Sequence, residues 1–222
     1  MDAPIPTVVT GRSTSKAAAR IRAAAIEVFA VKGYGATTTR EIAASLDMSP
    51  GAVYPHYKTK ESLLFAISLE GHRAALEVVR QADADTDSAT ARLGFTVAAY
   101  VRWHAENHAL ARVVQYELRS LTPEHFKEVV DVRRATSGVF ANIIGAGELS
   151  GEFHAIDKDA AVLAITSLGV DVSRWFPSNT HPDASMLAQR YAELSFRIVG
   201  ATAWGENRNV ACCDGCRNGK ST

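Results

Sequence analysis

Apolar residues recur at three- and four-residue spacing along most of the 222-residue chain, and no run alternates with the two-residue period of a half-buried strand. Ile21, Ala25, Val28 and Phe29 mark a helix from Ser15, with Lys16, Arg20 and Arg22 on or beside its polar face. Gly33 and Gly35 bracket Tyr34 and end it. Thr38 with Glu41 three residues later is a capping box, so a second, short helix opens there with Ile42, Ala43 and Leu46 on one face. Ser49 as N-cap and Pro50 at the first helical position predict a third helix. It ends near His56, because Pro55 has no N–H for the carbonyl of Gly51.

Thr59 caps a fourth helix that Leu63, Leu64, Ile67, Ala74, Ala75 and Val78 carry to about Ala82, before an acidic loop over residues 83–87. Leu93, Val97, Tyr100, Val101 and His104 share a face over 88–106, and another helical segment covers 108–118. Thr122-Pro123 starts a long helix expected to stop around Gly145 to Gly147, with Gly-Glu-Leu-Ser-Gly as a turn. Asp157 caps a helix striped by Val162, Ile165, Gly169, Val172 and Phe176, and the last, about 182–201, aligns Leu187, Tyr191, Leu194 and Ile198. The expectation is an all-α protein of about nine helices. An N-terminal three-helix helix-turn-helix domain (15–60) precedes a C-terminal helical ligand-binding and dimerisation domain (61–203), with a flexible arm at 1–14 and a flexible tail at 204–222.

Charge sharpens this division. Formal net charge is zero, yet residues 1–60 hold eight Lys/Arg against four acids, leaving sixteen against twenty in the remainder. A basic head on an acidic body suits a polyanion partner. A hydrophobic content of 47% is ample for a core. No uninterrupted apolar stretch is long enough for a membrane span and no secretion signal opens the chain, so a cytoplasmic, nucleoid-associated protein without a membrane partner is expected. Cys212, Cys213 and Cys216 all lie in the tail and cannot brace the fold. Their Cys-x-x-Cys step lacks the partners a structural zinc site needs and reads as incidental.

Two short helices joined by a tight turn form a helix-turn-helix, whose second member enters the major groove. Taken alone, residues 38–56 also fit a plain helical hairpin, the less favoured reading. Gly51 and Ala52 carry little or no side chain and allow close approach to DNA, where an alanine methyl can meet a thymine methyl. Lys60, in the first turn of the fourth helix, is placed to attract a phosphate, and Thr39 and Arg40 open the second helix near the backbone. Phosphate contacts set register and base contacts choose sequence. Thr39, His56 and Lys60 are accordingly expected to position, and Arg40, Gly51, Ala52 and Tyr54 to read, with Ser49 also among the DNA-binding residues.

Thr-x-x-x-Ile-Ala from Thr38, Ser-Pro-Gly-Ala-Val-Tyr from Ser49 and His-Tyr-Lys-Thr-Lys-Glu-Ser-Leu-Leu from His56 resemble the TetR family of bacterial transcriptional regulators over about residues 15–70. Residues 88–201 agree with that family in helix number and length rather than in any motif. Pro55 departs from the family pattern and shortens the recognition helix. The resemblance implies that Tyr54 and His56 face DNA while Val53 and Tyr57 pack against Ile42 and Phe29. It implies a homodimer on a palindromic double-stranded operator, joined by the last two long helices through Val162, Leu168, Val172, Leu187, Tyr191, Leu194 and Ile198, with Gly169 permitting close approach. It further implies a repressor released by a small-molecule effector, bound among Tyr100, Trp103, His104, His108, Tyr116, Asn142, Asp171, Arg174 and Trp175. Their aromatic character points to an apolar or amphipathic ligand such as a lipid, acyl thioester or aromatic compound.

Other chemistries find less support. His104 and His108 stand at i and i+4, yet Glu106 is misplaced for a His-Glu-x-x-His protease and no third ligand is evident, so no metal or other cofactor is expected. No nucleophile, phosphate loop or paired-carboxylate signature supports an enzyme. The remaining alternative is a helical DNA-architectural or partner-binding protein without a ligand.

Overall fold

The computed structural model describes residues 16–83, 88–154 and 157–201. The arm at 1–14 and the tail at 204–222 with its three cysteines lie outside the described residues. Eight α-helices follow in order: α1 (Lys16–Lys32), α2 (Thr39–Ala44), α3 (Lys60–Ala82), α4 (Ala89–Glu106), α5 (His108–Tyr116), α6 (Pro123–Ser150), α7 (Lys158–Trp175) and α8 (Ala184–Ile198). Among the described residues there is no strand.

Local signals place most helix starts. The Thr38 hydroxyl accepts from the Glu41 N–H at 3.2 Å while the Glu41 carboxylate accepts from the Thr38 N–H at 2.8 Å, closing the capping box. Hydroxyls of Thr59, Ser88 and Thr122 and carboxylates of Asp157 and Asp183 accept first-turn N–H groups in the same way. Each such cap is worth about 1 kcal/mol.

Three expectations need correction. The third helix is a single 3₁₀ turn, Pro50–Ala52, and Ser49 makes no side-chain cap. With no N–H on Pro55, the chain closes instead through the Val53 carbonyl, which accepts from both His56 (3.0 Å) and Tyr57 (2.9 Å). Next, α6 continues past Gly147 to Ser150. The terminating glycine is Gly151, at φ +76°, whereas Gly147 is needed for room: a Cβ there would overlap the Phe153 ring. Finally, Arg22 lies on the buried side of α1 at 7% exposure, not on its polar face.

The chain packs as two compact units. One comprises residues 16–73 with 109–131, and the other the described residues of 74–108 and 132–201. In the first, Ile21, Phe29, Ile42, Val53, Tyr57, Leu64 and Ile67 share a core with Val113 and Val114 of α5. In the second, Leu93, Val97 and Tyr100 of α4, Phe140 and Ile143 of α6, Val172 of α7 and Phe196 of α8 form another. Fully burying a large apolar side chain stabilises by about 1.5–3 kcal/mol, so these clusters hold each unit.

Candidate nucleic-acid interface

The turn between α2 and Pro50–Ala52 is tight because Asp47 adopts φ +55°, in the left-handed region, and Met48 donates to the Ala43 carbonyl at 3.0 Å. Val53 and Tyr57 then anchor the segment from beneath, both in the core with Ile42 and Phe29. Their burial turns the intervening residues outward. Tyr54 is 47% exposed, and Gly51, Pro55 and His56 are also exposed. No described atom lies within 4 Å of where a Gly51 Cβ would stand, so packing within the chain does not require glycine there. Arg40 is exposed on α2, and the Thr39 hydroxyl lies 3.5 Å from the Tyr54 phenol oxygen. Thr39, Arg40, Ser49, Gly51, Ala52, Tyr54 and His56 therefore fall along one stretch of α2 and the recognition turn.

Lys60 differs from its expected placement. Its ammonium turns inward and donates to the backbone carbonyls of Tyr34 (2.7 Å) and Thr37 (2.8 Å), with the Tyr34 ring centroid 4.1 Å away. Lys58, two residues earlier, is exposed. Its place between the buried Tyr57 and the capping Thr59 was the signal available in the sequence. The Glu41 carboxylate is held down at about pKa 2 by Lys32 and by its own cap hydrogen bonds, so it keeps its charge beside the basic residues of the head.

The nine effector candidates do not converge. Tyr100, Trp103 and His104 do meet: the Tyr100 and His104 rings stand 4.3 Å apart, Trp103 and His104 4.9 Å, and Phe140 lies 5.4 Å from Tyr100. Burial pushes the His104 imidazole down to about 4, against the hydrogen bond to the Tyr100 carbonyl, so it is neutral at pH 7. His108 packs edge-on to Phe176, and Trp175 to His181. Asp171 and Arg174 form an exposed ion pair on α7, and Asn142 is exposed on α6. Tyr116 is exposed and belongs to the first unit. Among the described residues no group of three His, Cys, Asp or Glu could hold a metal.

The expected dimer face is redistributed too. Val162, Val172 and Leu187 are buried in their own unit, Tyr191 and Ile198 are half-buried, and Leu168 and Leu194 are exposed. Leu163 at 67% and Met186 at 54% join the exposed set. Gly169 makes room for the Tyr100 ring of α4, which a Cβ would approach to 2.7 Å.

An all-helical chain presenting a helix-turn-helix on a basic head defines a DNA-binding regulator. Residues 21–67 match the family of bacterial regulatory proteins of the tetR type, and residues 86–199 match the tetracyclin repressor-like C-terminal domain. The chain belongs to the TetR family of transcriptional regulators. A solved bacterial regulatory protein of that family from Rhodococcus RHA1 is 68% identical, with 85% of this chain and 99% of that one covered and a TM-score of 0.83. The fatty acid metabolism regulator protein of Bacillus subtilis (strain 168) is 24% identical over 173 residues, 77% of this chain and 89% of its own length. AibR, solved in complex with isovaleryl coenzyme A and operator DNA, shares the fold at 18% identity and a TM-score of 0.75, with 84% and 100% of the two chains covered. Among the described residues no helix is long and apolar enough to cross a membrane.

Proposed function

We propose that this regulator is a cytoplasmic homodimeric repressor, not an enzyme, that leaves a palindromic operator when a fatty-acyl or acyl-thioester effector occupies its second unit. The outward turn of Gly51, Tyr54 and His56 over the anchors Val53 and Tyr57 carries the DNA-binding part. Arg40, Gly51, Ala52 and Tyr54 read bases, and Thr39, Ser49 and His56 hold phosphates. A single recognition turn spans few base pairs, and pairing two of them one helical turn of DNA apart supplies specificity. The outward leucines Leu163, Leu168 and Leu194 with Met186 supply the apolar area for that pairing.

The effector class is supported by relatives that regulate fatty acid metabolism or bind isovaleryl coenzyme A. His104, neutral at pH 7, packs against Tyr100 and Trp103, and Phe140 packs against Tyr100, an aromatic character that suits an apolar acyl chain. The effector must favour a form whose recognition turns no longer fit successive grooves, since differential affinity is all it can use.

Selection of bound fragments from genomic DNA, repeated with free fatty acids and acyl-coenzyme A thioesters present, tests the proposal. Inverted-repeat sites released by one of these classes are expected, with a raised melting midpoint in the same conditions. Sites that no fatty acid or acyl thioester releases would favour a DNA-architectural protein instead.

A further inference from the structure

The loop that joins α1 to α2 is built almost entirely from backbone groups held by other parts of the first unit. Gly33, at φ +80°, ends α1 by donating to the Phe29 carbonyl at 2.8 Å. The buried Thr37 returns its hydroxyl to the Gly33 carbonyl at 2.8 Å and its N–H to the Tyr34 carbonyl at 3.2 Å. The Tyr34 N–H donates to the Glu117 carboxylate just beyond α5 at 3.2 Å, and its ring meets Phe29 edge-on at 5.3 Å. Into this loop comes the Lys60 ammonium, bonded to the Tyr34 and Thr37 carbonyls and resting on the Tyr34 ring. These are charge-assisted hydrogen bonds, the stronger class, and they engage two of the three ammonium donors.

What the ammonium holds is adjacent to the DNA-reading surface. Thr37 immediately precedes Thr38, whose capping box starts α2, and the hydroxyl of the next residue, Thr39, lies against the Tyr54 phenol. A displaced Thr37 carbonyl would shift the first turn of α2 and the support of Tyr54 together.

We propose that Lys60 is a positioning residue: it staples the 33–37 loop, sets the start of α2 and thereby the stance of Tyr54, and leaves phosphate contact to the exposed Lys58. The inference rests on the DNA-binding reading of the head. It reassigns to internal architecture a cation whose sequence position suggests a phosphate contact.

Salt dependence separates the two roles, because each phosphate contact contributes about 0.9 to the slope of log K against log salt. Binding of a fluorescently labelled random-sequence duplex and of a selected inverted-repeat site would be measured between about 50 and 200 mM salt. Lys60→Met is expected to keep the wild-type slope on both duplexes while weakening binding roughly tenfold, the scale of one charged hydrogen bond. Lys58→Met is expected to lower the slope by about 0.9. In DNA-free protein, amide exchange at residues 37–41 should accelerate in Lys60→Met. Lys60→Gln, which keeps neutral donors for the carbonyls, should recover much of both losses. A slope lowered by about 0.9 in Lys60→Met and Lys60→Gln alike, with unaltered exchange at 37–41, would overturn the proposal, as would unchanged affinity in both. Wild-type protein that binds neither duplex would instead remove the DNA-binding reading itself.

Discussion

The Arg22 guanidinium donates to the Tyr57 phenol oxygen across 2.7 Å in the interior of the first unit, and the phenol in turn donates to the Ala18 carbonyl at 3.3 Å. The same guanidinium meets Glu70 at 2.6 Å. Burial works against its charge, but the Tyr57 and Glu70 contacts outweigh that, and its pKa is raised. The end of the recognition turn is thus tied to α1 through a buried charge. Tyr57→Phe strands one guanidinium donor and should cost about 1–3 kcal/mol in urea denaturation at pH 7. The double variant Arg22→Leu/Tyr57→Phe should cost less than the sum of its single changes, because no buried donor is left over.

The Glu152 carboxylate caps α4 from outside, accepting from the Ala89 and Thr90 N–H groups at 3.0 and 2.9 Å and from the Ser88 hydroxyl at 3.0 Å. Partial burial raises its pKa, but these hydrogen bonds prevail and hold it at about 2. A depressed carboxylate contributes stability that is complete above its unfolded value, near 4.5, and vanishes as pH falls through 2. Glu152→Gln should therefore cost about 1 kcal/mol at pH 7 and much less at pH 2, read from thermal unfolding at the two pH values.

His104 acts over a different window. Its folded value near 4 lies below the ordinary 6.5, so between these the unfolded chain binds a proton that the folded chain excludes. Its contribution is complete above pH 6.5 and is lost as pH falls toward 4. The groups bearing on it are the Tyr100 carbonyl, which favours protonation, and Arg133, which opposes it. An NMR titration should find this imidazole neutral at pH 6, and His104→Phe should flatten the fall in stability between pH 6.5 and 4. An imidazole titrating near 6.5 would contradict this.

Two glycines predict opposite phenotypes. Gly51→Leu meets open space, so its unfolding free energy should hold within about 0.5 kcal/mol of wild type while DNA binding falls, because the added side chain stands between the turn and the groove. Gly169→Ala drives a methyl into the Tyr100 ring and should cost about 1–3 kcal/mol.

Leu163→Asp with Leu194→Asp should yield folded monomers in sedimentation velocity, with operator affinity reduced at least a hundredfold. The corresponding change at the buried Leu187 should instead unfold the second unit.

What lay in the sequence was local: the Thr38–Glu41 box, the Asp157 carboxylate before α7, and the spacing that makes every element helical. Caps, turns and periodicity depend on residues a few positions apart, so one chain suffices to read them. The shortening of the recognition element by Pro55 belongs to the same class, although its collapse to one 3₁₀ turn exceeds what was expected. Helical periodicity gives an apolar stripe but not which neighbour covers it. The buried Val162 and Leu187 and the exposed Leu163 and Leu194 could therefore be assigned only once α4, α7 and α8 were packed. The same holds for long polar side chains: Arg22 and Lys60 each have several rotatable bonds, and tertiary neighbours at Tyr57, Tyr34 and Thr37 decided that both turn inward.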